Sequence, residues 1–152
     1  MSPPGRVPTD PTRRTLRLTL ATILLAGCGL LPSAQPDWIA NRKPLPACGE
    51  ETVARGDTDV EARQCLYEAY LNGEDAELIS TEAITEGRRI TRYMRVHANG
   101  TIEMFIDATG DPLGSGTWER ETCGQLLGAE EVRDVWIEEV FIILDCESQP
   151  VP

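Results

Sequence analysis

The residues of this 152-residue chain that can make or break covalent bonds are few: Cys28, Cys48, Cys65, Cys123 and Cys146, with His97 as the single imidazole. A structural zinc site is built from Cys-x-x-Cys pairs or clustered Cys and His, and neither spacing occurs, so no metal and no cofactor is expected. Nucleophilic catalysis needs a base beside its nucleophile. His97 comes with no Gly-x-Ser-x-Gly elbow to serve. Glu103, Asp107, Glu119 and Glu121 offer carboxylate pairs of the kind that cleave sugars, but 25 acidic residues bring such pairs together by chance. Phosphate-binding and dinucleotide fingerprints are absent as well. No catalytic residue is assigned on these grounds.

Two further groups have binding chemistry. Arg88, Arg89, Arg92 and Arg95 form a basic cluster in an acidic chain, able to hold an anion or to pair with neighbouring acids. Tyr93, Arg95 and Phe105 are the candidate binding residues, an aromatic pair flanked by charge on one face of a hairpin. Asp107, Thr109 and Asp111 have the first spacings of a calcium loop, yet Pro112 stands where that loop needs Gly and Trp118 where it needs Glu. The segment reads as a turn shaped by Gly110, Pro112, Gly114 and Gly116.

The first 28 residues have a different chemistry. Arg6, Arg13, Arg14 and Arg17, opposed only by Asp10, precede an apolar run over residues 18–27. That run is of export-signal length and short of the roughly 20 residues that span a bilayer. It ends in Leu25-Ala26-Gly27-Cys28, and here the chain resembles bacterial lipoprotein precursors, whose lipobox is a Leu, small residues and a Cys. The resemblance implies cleavage before Cys28, a diacylglycerol on its sulfur, fatty acylation such as palmitate on its new amino group, and a place on the outer face of the cell membrane. Residues 12–17 also resemble a twin-arginine export motif, with Leu16 and Arg17 replacing the usual Phe and Lys; general secretion is served equally by the positive charge.

Lipidation would settle the odd cysteine. The four that remain can pair completely, as exported proteins favour, and of three connectivities Cys48 with Cys65 and Cys123 with Cys146 close the shortest loops. Removing 27 residues leaves 125, one ordinary domain. Basic residues fall from 14 to 10 and acidic ones from 25 to 24, so the mature charge is −14. Such a field repels nucleic acid, which is excluded as a partner. The expected partners are the membrane, through lipid on Cys28, and an envelope protein or ligand that the sequence leaves unidentified.

The expected organisation is a signal peptide over residues 1–27, a lipidated Pro-rich tether over 28–47, and a single α+β domain over 48–152. Asp37, Trp38 and Ile39 could pack back onto that domain. A helix is predicted over residues 59–72, with Thr58 and Glu61 as a capping box, an apolar stripe of Ala62, Cys65, Leu66, Ala69 and Tyr70, and Gly73 as its left-handed stop. Tyr67 and Glu68 fall off the stripe, toward solvent. Beyond residue 77 the period changes to two. A three-residue Ala98-Asn99-Gly100 turn aligns Val96 with Ile102, Met94 with Met104, Arg95 with Glu103 and Tyr93 with Phe105. A strand follows over residues 117–123, an indistinct acidic stretch over 124–134, and an apolar strand around residues 140–144 expected to be buried on both sides.

The fold class expected is one helix on an antiparallel sheet of four to five strands, with two disulfides. The mature part is similar in layout to small envelope lipoproteins of no assigned activity. The function expected is a binding or interaction module of the cell envelope. The alternatives are an envelope hydrolase using carboxylates or His97, or an inhibitor of another exported protein.

Overall fold

The hairpin at residues 89–107 is the centre of a sheet that grows outward on both sides. In the computed structural model, which describes residues 35–84, 88–111, 113–129, 131 and 140–151, β3 (Arg89–Val96) pairs antiparallel with β4 (Ile102–Asp107). Val96 lies opposite Ile102, Met94 opposite Met104, Arg95 opposite Glu103 and Tyr93 opposite Phe105. Gly100, at φ +83°, takes the left-handed turn position that the three-residue loop requires. The expected register is the observed one.

Around this pair run β1 (Ala47–Val53), β2 (Ala76–Ala83), β5 (Trp118–Gly128) and β6 (Phe141–Ser148), in the order β1-β2-β3-β4-β5-β6. The described sheet therefore has six strands rather than four to five, and it is not wholly antiparallel. β1 lies parallel to β2, because the helix α2 (Val60–Asn72) carries the chain back across the sheet between them. A second, one-turn helix, α1 (Asp37–Ala40), precedes β1. The described residues are thus largely β, with two short helices.

Two other expectations change. β5 does not stop at Cys123 but continues to Gly128, pairing with β6 through Gly128 opposite Phe141; Gly124 and Gln125 had hidden this continuation. β6 is an edge strand, so only Phe141 at its start is buried, and Leu144 is exposed.

Asp59, not Thr58, caps α2, its carboxylate accepting from the Ala62 N–H at 3.0 Å. The partner that a capping box would supply comes instead from β1, where Glu51 accepts from the Asp59 N–H at 2.8 Å. At the other end the Gly73 N–H donates to the Tyr70 carbonyl and the Glu74 N–H to the Ala69 carbonyl, a Schellman stop with Gly73 at φ +65°. Ala62, Leu66 and Ala69 of α2 pack on Leu78, Met94, Val96, Ile102, Leu126 and Phe141. Burying each large apolar side chain contributes about 1.5–3 kcal/mol. Tyr67 is half-buried against this cluster rather than in solvent, with its hydroxyl close to Gly128. The disulfides join Cys48 to Cys65, fixing β1 to α2, and Cys123 to Cys146, fixing β5 to β6. Cys65 consequently faces the strand edge and not the core stripe.

Candidate functional site

Alternation along the strands sorts the chemistry-bearing side chains onto two faces. On the face away from α2, Tyr93, Phe105 and Trp118 lie on neighbouring strands, and Glu77, Arg95 and Glu103 form a row across β2, β3 and β4. The candidate residues Tyr93, Arg95 and Phe105 are brought together here as the register requires. They are not open, because residues 35–46 form a strap over them. Ile39 of α1 is fully buried, and the Trp38 ring meets Phe105 edge-on at 5.3 Å and Trp118 at 6.1 Å. Phe105 and Arg95 are each 4% exposed.

Charge locks the strap in place. Arg42 donates to both oxygens of Glu77, at 2.9 and 2.8 Å, and stacks over the Tyr93 ring. Arg95 lies 3.0 Å from Glu77 and donates to Glu103 at 2.9 Å, and it also donates to the Lys43 carbonyl. Arg120 donates to the other Glu103 oxygen at 2.9 Å. The result is an alternating series, Arg42, Glu77, Arg95, Glu103, Arg120, in which the Arg42–Glu77 pair is bidentate. Burial raises the Tyr93 phenol above its ordinary pKa, against the lowering influence of Arg42.

His97 stands at the end of this series, 3.5 Å from Glu103 and 3.9 Å from Asp75. Glu103 has both oxygens engaged by guanidinium groups, and Asp107 accepts from the backbone and hydroxyl of Thr109. Arg88 pairs with Asp111. Glu121 lies close to Cys123 and Cys146, but both sulfurs belong to the disulfide and leave one carboxylate for any cation.

The open chemistry lies on the opposite face, where α2 stops short of the strand ends. A cavity of about 310 Å³ is lined by Val53, Arg55, Gly56, Ser80, Glu82 and Ala83. A second, of about 350 Å³, is floored by Met94, Met104, Phe141, Ile142 and Ile143. Arg63, Glu82 and Arg92 line both, so the two are compartments of one cleft, with Met and Ile side chains joining the charged lining in the second. Arg63 is the residue that reading the sequence missed. It sits on the buried stripe of α2, 8% exposed, donating to Glu51 at 2.8 and 3.0 Å and lying over the Phe141 ring. A charged residue inside an otherwise apolar helical stripe was the available signal. Burial pushes the Glu51 carboxyl up, but hydrogen bonds from Arg63, Ser80 and the Asp59 N–H outweigh it and hold it below its usual range.

Comparison with protein families, with curated proteins and with solved structures finds no match for this chain. The site's chemistry must therefore be read from its own residues.

Proposed function

We propose that this chain is a bacterial lipoprotein of the cell envelope, anchored by lipid on Cys28 outside the membrane, whose disulfide-stapled domain is a binding module. The observation that carries the reading is the cysteine pairing. Cys48 with Cys65 and Cys123 with Cys146 use every cysteine after Cys28, which leaves only the sulfur at the end of the lipobox. Export also suits the bridges, which persist in oxidising compartments. The lipobox and residues 1–34 lie outside the described residues, so the anchor rests on the sequence motif and on this arithmetic. Two or three acyl chains hold a protein on a bilayer where one alone binds marginally.

The binding half of the proposal is supported by the cleft beside α2. Its two compartments, of about 310 and 350 Å³, fall in the usual range of about 300–1,000 Å³ for small-molecule sites.

Expression in a bacterium supplied with an alkyne-tagged palmitate tests the anchor. The chain should take up label, fractionate with membranes and lose both properties on Cys28→Ala. Mass spectrometry that found an intact residue 1, or an unmodified thiol at Cys28, would overturn it.

A further inference from the structure

The polar compartment of the cleft is assembled at a conformational cost. Residues 54–57 form a two-residue hairpin turn in which the Asp57 N–H donates to the Ala54 carbonyl, and its central residues Arg55 and Gly56 have φ +60° and +89°. Such turns favour Asn or Gly at both positions because a side chain crowds the backbone there. An arginine occupies the first of them and lines the cleft. Among the described residues no acid pairs with it.

Arg92 adds a second guanidinium from β3. It is one-third exposed, and Glu82 takes a single hydrogen bond from it at 2.8 Å, so further donors of the planar fork remain for a ligand. Among the described residues Arg63 pairs with Glu51 and Arg92 with Glu82, and Arg55 adds a further positive charge to the cleft in a chain of charge −11. Immediately beyond these groups the floor turns to the half-buried Met104 and Ile143, backed by the buried Met94 and Phe141, thioethers and hydrocarbon that adapt to a flexible apolar chain.

We propose that this cleft binds a single-chain amphipathic anion, with its carboxylate or phosphate head at Arg55 and Arg92 and its hydrocarbon tail along Met94, Met104, Phe141 and Ile143. The proposal names the ligand class for the binding module inferred above. It is independent of the anchor: an unlipidated Cys28 leaves the cleft intact, and an empty cleft leaves the anchor intact.

The test is calorimetric titration of the mature chain carrying Cys28→Ser, disulfides formed, with n-alkanoates and n-alkyl phosphates of six to twelve carbons below their micelle concentrations. Affinity should rise about fourfold per methylene until the apolar compartment fills, as roughly 0.8 kcal/mol per buried CH₂ requires. The two head groups compared at equal chain length identify the anion. The matching n-alkanol should bind at least tenfold more weakly, since it forgoes a charge-assisted pair. Arg92→Ala should weaken the anion about tenfold and leave the alkanol unchanged. Arg55→Asn should do the same while the melting temperature holds or rises, because Asn suits the turn better; a purely structural Arg55 would not separate those readouts. Met104→Glu should abolish binding. Equal affinity for anion and alkanol, no dependence on chain length, or tighter binding of a short peptide through its C-terminal carboxylate and Leu side chain would each overturn the proposal.

Discussion

Removing the Glu51 carboxylate should take away a large part of this domain's stability. Glu51 is 6% exposed and Arg63 8%, and the pair ties β1 to the first turn of α2 through two guanidinium contacts and the Asp59 N–H. Glu51→Ala breaks a buried ion pair by removing one member, which costs about 3–5 kcal/mol. Against a total of about 5–15 kcal/mol for a domain, that is roughly a fifth of the stability or more. Arg63→Met should cost a similar amount, since it leaves the carboxylate buried without its partner. The double variant Glu51→Leu/Arg63→Met leaves neither charge and should lie close to the wild type. Urea unfolding with both disulfides intact, analysed as a double-mutant cycle, reads all four states. Single variants that each cost under about 1 kcal/mol, or that add in the double, would refute the claim that the pair acts as a unit.

The same pair sets an acid dependence. Glu51 has a lowered pKa in the folded state, so its stabilisation is present above its unfolded value, near 4.5, and is lost as pH falls through the folded value. Glu51→Gln should flatten the decline in stability on that acid side.

Ile39→Ala should cost about 2–5 kcal/mol from the cavity left under the strap, and Trp38 fluorescence should shift toward that of a solvated indole. An unchanged spectrum and unfolding midpoint would show that the strap is not held by these contacts. Gly110→Ala should be destabilising by about 1–3 kcal/mol, because a Cβ there would stand 2.7 Å from the Arg89 carbonyl oxygen. A melting temperature equal to that of the wild type would refute the close approach.

Local chemistry made parts of this structure legible. The β3–β4 register followed from Gly100 and strict alternation, and α2 followed from an apolar stripe and a glycine stop, with its cap misplaced by one residue because Thr58 and Asp59 can both do the work. What failed was non-local. β1 has no apolar alternation, since one of its residues, Glu51, is buried only by virtue of Arg63 on the helix, and an adjacent glycine and cysteine read as loop. The run over residues 141–144 has the composition of a central strand, yet it forms after β5 and nothing among the described residues pairs with its outer edge. Tyr93, Arg95 and Phe105 share one face as the register requires, but their cover comes from residues 35–46, whose three prolines and lack of period read as a tether. The open cleft was missed because its residues are scattered over six elements and the turn at Arg55.

The strap changes how far this domain can travel. A free stretch from residue 29 to 47 would reach about 65 Å when fully drawn out, whereas a chain already fastened at Gln35 has six residues between Cys28 and that point, a span of at most about 25 Å. An acylated Cys28 would then keep the domain skimming the lipid surface. The cleft would sample molecules leaving that surface at high local concentration, and structures deeper in the envelope would lie beyond its radius.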